Sequence, residues 1–183
     1  MSTPETYPVE IAGVQRELRL FRVAPTLRIA ILNILGDTEL VQASAKALAA
    51  KLESVAYDFI ITAEAKSIPL AYALSVETKK PYVVLRKSYK SYMGDALKAE
   101  TLSITTGQPQ TLILDEKDRA QVSGKKAIVV DDVISTGSTL KGIRSILEQA
   151  GASVAGEAAI MTEGDESQWT QIIALGHLPL FPD

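Results

Sequence analysis

The sequence predicts an α/β fold, a doubly wound and mostly parallel sheet with flanking helices. Apolar runs of strand length occur at residues 57–62, 81–86, 127–130 and 154–161, and such runs are typical of strands buried on both faces of a sheet. Segments with helical spacing of apolar residues lie between them. Strands that alternate with helices form parallel sheets. The length of 183 residues suits one domain, which we place at residues 1–183.

The remaining elements follow from local patterns. Residues 7–11 and 17–21 alternate apolar and polar side chains around Gly13, which predicts a hairpin, and residues 27–32 form another apolar run. Apolar spacing predicts helices at residues 38–52, 68–78, 138–150 and 168–175. A ribbon is predicted from residues 99–106 and 110–114, and a charged turn at residues 115–118.

Composition excludes several classes of function. The net charge of −3 leaves no basic surface for nucleic acid, and the absence of cysteine excludes disulfides and thiolate metal sites. Residues 1–10 are polar and lack the apolar core of a signal peptide. No apolar run approaches the roughly 18 residues needed to span a bilayer. We therefore expect a cytoplasmic protein without nucleic acid or membrane partners.

The richest motif begins where the strand of residues 127–130 is predicted to end. Two adjacent carboxylates, Asp131 and Asp132, can accept hydrogen bonds from the two vicinal hydroxyls of a ribose. A loop of small residues follows and opens into a helix whose unpaired N–H groups suit a phosphate. The loop consists of Ser135, Thr136, Gly137, Ser138 and Thr139. The alternative is a helix cap and turn without a ligand.

Two further loops follow predicted strands. Residues 62–69 lead from a strand into a helix and suit a second phosphate group. An ordinary helix start with a solvated Lys66 is the alternative. Residues 86–95 combine Arg86, Lys87 and Lys90 with tyrosines and a glycine, which indicates a mobile lid over an anionic substrate. The alternative is a solvated surface loop.

Residues 129–139, Val-Val-Asp-Asp-Val-Ile-Ser-Thr-Gly-Ser-Thr, resemble the phosphoribosyl-pyrophosphate motif of the type I phosphoribosyltransferases. The resemblance extends over most of the chain and is closest to adenine phosphoribosyltransferase and related purine enzymes. It implies the type I fold, with a flexible β-ribbon loop and a small hood built from the amino-terminal part and a carboxyl-terminal segment. It also implies a pentosyltransferase of purine salvage and nucleotide metabolism, acting as a homodimer.

The resemblance assigns roles to residues. Asp131 and Asp132 would bind the ribose hydroxyls, and residues 135–139 would bind the 5′-phosphate. Catalysis would involve Asp131, Asp132 and Lys66. The diphosphate would be bound by Ala65, Lys66, Ser67, Arg86, Lys87 and Lys90. A non-proline cis peptide is expected at Ala65-Lys66. Mg²⁺ would be bound by the substrate, with no direct protein ligand.

The implied reaction joins a purine base to 5-phosphoribosyl 1-diphosphate (PRPP). Resemblance in residues 24–29 and 35–40 narrowly favours adenine as the base, and Ile134 is the candidate base contact. Thr105 stands where adenine enzymes usually have glutamate, and Ser135 stands where 6-oxopurine enzymes often have aspartate. A hypoxanthine/guanine or xanthine enzyme and a non-catalytic PRPP-sensing regulator therefore stay as alternatives.

Overall fold

The computed structural model describes residues 5–102 and 109–183, and the side chains of Leu102 and Pro109 are not described. The strands are β1 Thr6–Ile11, β2 Val14–Ala24, β3 Leu27–Ile31, β4 Phe59–Ala63, β5 Tyr82–Leu85, β6 Leu97–Leu102, β7 Pro109–Leu114, β8 Lys126–Ile134, β9 Ser153–Glu163, β10 Ile173–Leu178 and β11 Phe181–Pro182. The helices are α1 Thr38–Lys51, α2 Ile68–Thr78, α3 Glu116–Val122 and α4 Ser138–Gln149, with 3₁₀ turns at Ser91–Met93 and Glu166–Trp169.

A parallel five-stranded sheet forms the centre of the molecule, in the order β10-β9-β8-β4-β5. All five residues of β4 and the first apolar residues of β8 are buried, because helices cover both faces. Helices α1 and α2 pack on one face, and α3 and α4 pack on the other. The predicted doubly wound α/β fold is confirmed.

The central sheet contains a topological switch point between β4 and β8. These strands are neighbours and parallel, yet the helix after β4 packs on one face and the helix after β8 packs on the other. The loops after β4 and β8 therefore diverge above the carboxyl ends of the strands and leave a crevice between them. Open α/β sheets bind ligands in such a crevice. Both phosphate loops predicted from the sequence lie at this crevice.

A smaller antiparallel sheet packs against the α1 and α2 side, in the order β1-β2-β3-β11. The predicted hairpin is present as β1 and β2. Strand β11 pairs with β3, so the amino-terminal and carboxyl-terminal segments form one layer. Asp37 caps α1 by accepting the Leu40 N–H at 3.1 Å, and Arg16 from β2 donates to the same carboxylate at 2.7 Å. The role of this layer as a hood stays a prediction.

The sequence predictions for residues 168–175 and 115–118 are wrong. Residues 168–175 do not form a helix, because the chain makes a short 3₁₀ turn and then enters β10 beside β9. Their apolar spacing also suits a strand, and pairing with the exposed edge of β9 decides between the two. Residues 115–118 are not a turn, since Asp115 caps the short helix α3 by accepting the Lys117 N–H at 3.1 Å. In the described part of the chain, no helix combines the length and apolarity required to cross a membrane.

Candidate functional site

The acidic pair lies inside β8, which continues past it to Ile134 instead of ending at Val130 as predicted. Asp132 is buried and Asp131 is half-buried. Regular strand alternation would direct adjacent side chains to opposite faces. Here both carboxylates contact one hydroxyl, because Ser67 Oγ lies 2.7 Å from Asp131 Oδ1 and 3.2 Å from Asp132 Oδ1. The pair therefore presents two carboxylates to one small region.

The core on either side of β8 shows where the alternation changes. Val130 packs with the α1 and α2 core, and Val129 packs with the α3 and α4 core. The two residues that directly follow the acidic pair do not continue this alternation. Val133 packs towards the α1 and α2 core, where strict alternation would place Ile134, and Ile134 lies in the α3 and α4 core. The pairing of β8 with β9 keeps its register here, with Asp131 opposite Ala159 and Val133 opposite Met161. The convergence of the two carboxylates is therefore seen in their contacts with Ser67 and not in a break of the strand pairing.

The ionisation of Asp131 depends on its surroundings. Burial, together with the negative charge of Asp132, raises the pKa of Asp131 to about 7, while the hydrogen bond from Ser67 acts in the opposite direction. Lys66 Nζ lies 2.6 Å from Asp132 Oδ2 and also donates to the Leu32 carbonyl at 3.2 Å. The acidic pair therefore lies beside one positively charged group, Lys66.

The hydroxyl loop surrounds a cavity of about 190 Å³ at the start of α4. Gly137 has φ +70°, in the left-handed region that glycine tolerates best, and α4 begins at the next residue. Ser138 N donates to Thr136 Oγ1 at 3.4 Å, which closes the loop. Residues 135–139 all border the cavity, so the sequence-predicted phosphate residues are brought together.

Trp169 packs over the hydroxyl loop. A Cβ added to Gly137 would lie 3.2 Å from Trp169 Cη2. The indole N–H donates to the Glu163 carbonyl at 3.0 Å, so the ring is held at the end of β9. Trp169 therefore packs against the glycine of the hydroxyl loop.

The second loop lies between β4 and α2. The sequence places its cis peptide at Ala65-Lys66, but the cis bond joins Glu64 and Ala65. Ser67 has φ −86° and ψ −1°, an ordinary helical conformation, so the position does not require a glycine. Lys66 and Ser67 both reach the acidic pair. The predicted diphosphate loop and ribose loop are therefore in direct contact.

Glu64 joins this loop to the basic segment after β5. Its carboxylate accepts from Arg86 Nε at 2.6 Å and from the Lys87 backbone N–H at 2.5 Å. The hydrogen bond to Glu64 raises the pKa of Arg86 above its ordinary value. The sequence assigned Glu64 no role. Its contact with Arg86 follows from strand register, because Ala63 in β4 is the register partner of Leu85 in β5, which brings the next residues together.

The other basic residues of the predicted lid are exposed. Lys87 and Lys90 have exposed side chains, and Lys90 N lies 3.3 Å from Met93 Sδ at the 3₁₀ turn. Arg86 exchanges two backbone hydrogen bonds with Ile113 of β7, at 2.9 and 2.8 Å. The lid is thus fixed to the ribbon at its first residue. Diphosphate binding by Lys87 and Lys90 stays a prediction.

The predicted base contacts are less well assembled. Ile134 is only 2% exposed and packs in the core below α4, although it borders the 190 Å³ cavity. Thr105 lies outside the described residues. The turn after β9 is held by His177, whose Nε2 must carry the proton because its partner, the Gly164 carbonyl at 3.0 Å, only accepts. Base binding by Ile134 stays a prediction.

A larger open depression of about 830 Å³ lies away from all of these groups. It is bordered by Tyr57, Asp58 and Lys126 at the amino ends of β4 and β8, together with parts of α1 and α2. Ligands of open α/β sheets bind at the opposite, carboxyl ends of the strands. Size alone therefore does not identify the functional site in this molecule.

Comparison with known proteins agrees with this geometry. A family model of the phosphoribosyl transferase domain matches residues 32–169. A hypoxanthine/guanine phosphoribosyltransferase of Methanocaldococcus vulcanius is 38% identical over 106 residues, which are 58% of this chain and 54% of that protein. The purine biosynthesis transcriptional repressor of Bacillus subtilis is 28% identical over 135 residues, which are 74% of this chain and 47% of the repressor. The chain spans about half the length of these relatives.

Solved structures share the fold. Adenine phosphoribosyltransferase of Thermoanaerobacter pseudethanolicus superimposes with a TM-score of 0.72 at 21% identity, over 87% of this chain and 95% of that one. The Giardia lamblia enzyme, solved with 9-deazaadenine, has the same TM-score at 20% identity, over 87% of this chain and 93% of that one. The predicted type I phosphoribosyltransferase fold is confirmed.

Proposed function

The chain belongs to the phosphoribosyl transferase domain family, and on this premise we propose that it is a purine phosphoribosyltransferase. It would make a nucleoside 5′-monophosphate and diphosphate from a purine base and PRPP. One observation carries the proposal: the acidic pair, the hydroxyl loop and the Glu64–Ser67 segment meet at the switch point of the sheet. Each suits a different part of PRPP.

The donor would bind across these three groups. Asp131 and Asp132 accept from the ribose hydroxyls, and the N–H groups at the start of α4 bind the 5′-phosphate. The diphosphate lies towards Ala65, Lys66 and Ser67. Arg86 is held beside that loop by Glu64 at 2.6 Å, and Lys87 and Lys90 extend the positive charge. The ribose 5-phosphate is thus assigned to the carboxyl end of β8 and the diphosphate to the segments after β4 and β5, which is the order of these strands in the sheet.

The reaction forms a bond between a purine ring nitrogen and C1 of the ribose, and it breaks the bond from C1 to the diphosphate oxygen. The base loses the proton of that nitrogen to solvent. Positive charge develops on the ribose ring, and negative charge develops on the departing diphosphate. Lys66 and Arg86 stabilise that departing charge, and the acidic pair orients the ring.

Mg²⁺ would accompany the diphosphate. In the part of the chain that the structure describes, no three potential metal-binding side chains of His, Cys, Asp or Glu converge. Mg²⁺ commonly binds through substrate phosphates with one or two carboxylates and water. The donor set here fits that kind of site, with the diphosphate and ribose oxygens as its main ligands. When bound, the metal would neutralise charge on the leaving group.

The acceptor base is the less specified part of the proposal. Relatives at 33–38% identity are named hypoxanthine/guanine phosphoribosyltransferases, whereas the amino-terminal segments of this sequence resemble adenine enzymes. A homodimer and a cytoplasmic location are proposed from the family alone. The second candidate, a PRPP-sensing regulator without turnover, is favoured by the similarity to the Bacillus subtilis repressor.

A base panel would test the proposal. The protein is incubated with PRPP, Mg²⁺ and adenine, hypoxanthine, guanine, xanthine, uracil or orotate, and nucleotide and diphosphate are quantified. PRPP binding is measured separately by calorimetry. We expect nucleotide with at least one purine and none with the pyrimidines. PRPP binding without product from any base would favour the regulator, and absence of PRPP binding would refute both candidates.

A further inference from the structure

We propose that Ser67 is a positioning residue that holds the Asp131–Asp132 pair in its ribose-binding arrangement and couples the pair to the diphosphate loop. The inference rests on the proposed function, because the ribose of PRPP is the ligand that the pair would bind. It assigns Ser67 a task different from contact with the diphosphate. Ser67 would act through the carboxylates and not on the reacting atoms.

The hydrogen bonds of the Ser67 hydroxyl all go to the acidic pair. Its side chain is buried, at 2% exposure. The hydroxyl lies 2.7 Å from Asp131 Oδ1 and accepts the Asp132 backbone N–H at 2.8 Å. A hydroxyl has one hydrogen to donate, so the shorter contact identifies Asp131 as its acceptor. The Asp132 N–H also lies 3.0 Å from Asp131 Oδ1, which completes a closed set of three groups.

The orientation of Ser67 is unusual for its place in the helix. It occupies the N-cap position of α2, where a serine side chain commonly accepts an N–H from the first helical turn. This serine makes no such bond, and its hydroxyl is directed across to β8 instead. The backbone there is ordinary, with φ −86°. The side chain therefore makes no local capping hydrogen bond and instead contacts a residue 64 positions away in the sequence.

The same contacts act on the charge of the pair. Burial and Asp132 raise the pKa of Asp131, and the Ser67 hydrogen bond lowers it. The other charged group facing the pair is Lys66, which lies against Asp132, and Glu163 on β9 lies near Lys66. Ribose binding needs an unprotonated carboxylate as acceptor. Removal of the hydroxyl should therefore raise the pKa of Asp131 and weaken ribose binding at and below neutral pH.

The experiment compares Ser67→Ala with Ser67→Thr, which keeps the hydroxyl. Ser44→Ala is the matched control, because Ser44 is also fully buried and its hydroxyl has no partner in the part of the chain that the structure describes. Carboxyl ¹³C NMR of the ligand-free protein follows the titration of Asp131. Calorimetry at pH 6, 7 and 8 measures PRPP binding, and thermal unfolding reports folding.

We expect Ser67→Ala to raise the titration midpoint of Asp131 by about one pH unit and to weaken PRPP binding about tenfold at neutral pH, with recovery towards pH 8. Ser67→Thr should restore much of both, and Ser44→Ala should change neither. An Asp131 midpoint that stays unchanged in folded Ser67→Ala would overturn the inference whatever the ligand. Wild-type protein that shows the expected titration but binds no PRPP would instead refute the proposed function.

Discussion

The two halves of the candidate site differ in how their side chains are held. In the donor half, formed by residues 64–67, 86–87 and 131–139, polar groups are held by specific bonds at the ends of neighbouring parallel strands. In the proposed acceptor half, Ile134 is buried in the core, and Thr105 lies outside the described residues. The donor groups are therefore positioned by hydrogen bonds and ion pairs, whereas Ile134 is positioned by core packing.

This difference follows from where each half is attached. The strands of the central sheet fix the spacing of the loops that follow them, so carboxylates and cations placed in these loops lie close together in this molecule. As predicted from the sequence, the acceptor half would involve contacts between the sheet, the smaller antiparallel layer and the ribbon. Such contacts vary with side-chain packing, so one donor site can serve enzymes with different bases.

The largest expected effect belongs to the acidic pair. Asp131→Asn together with Asp132→Asn should weaken PRPP binding by about a hundredfold or more, because two charged acceptors are lost. The fold should remain, since both side chains are nearly isosteric. Calorimetry measures binding and thermal unfolding measures stability. Glu53→Gln with Glu77→Gln removes the same charge from exposed positions at the far end of the sheet and should leave binding intact. Equal effects of the two double variants would refute the ribose assignment.

The next effect concerns the link between the diphosphate loop and the lid. Glu64→Gln should lower kcat/KM for PRPP about tenfold, because Arg86 loses its charged partner and Lys87 N loses a carboxylate acceptor. The control is Glu157→Gln, which breaks a similar pair between Arg144 and Glu157, with bonds of 2.7 and 2.6 Å, away from the site. That variant should lose stability without a change in KM. A drop in kcat/KM common to both variants would indicate general destabilisation.

A smaller effect is expected at the hydroxyl loop. Gly137→Ala forces a side chain into a left-handed conformation and against Trp169, whereas Gly124→Ala, at φ +73°, meets nothing within 4 Å. Gly124→Ala should cost about 1 kcal/mol of unfolding free energy from the backbone alone. Gly137→Ala should cost more than this and should also weaken PRPP binding. Equal costs, measured by denaturant unfolding, would show that Trp169 does not restrict the loop.

The smallest effect tests the acceptor half. Ile134→Val should cost about 1 kcal/mol of stability through the lost methyl group and should change KM for the base less than about twofold, because the side chain is 2% exposed. A methylene lost from a true base contact would cost roughly tenfold or more. Steady-state kinetics with the preferred base distinguishes these outcomes. A tenfold rise in KM would show that Ile134 contacts the base.

Most of the fold and the donor residues could be predicted because they depend on local patterns. Apolar runs identified β4, β8 and β9, and their order implied a parallel sheet with ligand loops at one edge. Residues 168–175 could not be assigned in this way. Their apolar spacing suits a helix as well as a strand, and only the available edge of β9 selected β10.

The sequence by itself determined which chemical groups the candidate donor site contains, since residues 131–139 are contiguous. Two carboxylates followed by a loop of hydroxyl residues serve few other purposes in that order. Tertiary structure decided how those groups are oriented. The convergence of Asp131 and Asp132 on Ser67, the attachment of Arg86 to Glu64 and the position of Trp169 over Gly137 all join residues distant in sequence. Such contacts depend on strand register and on packing between layers, which no local pattern encodes.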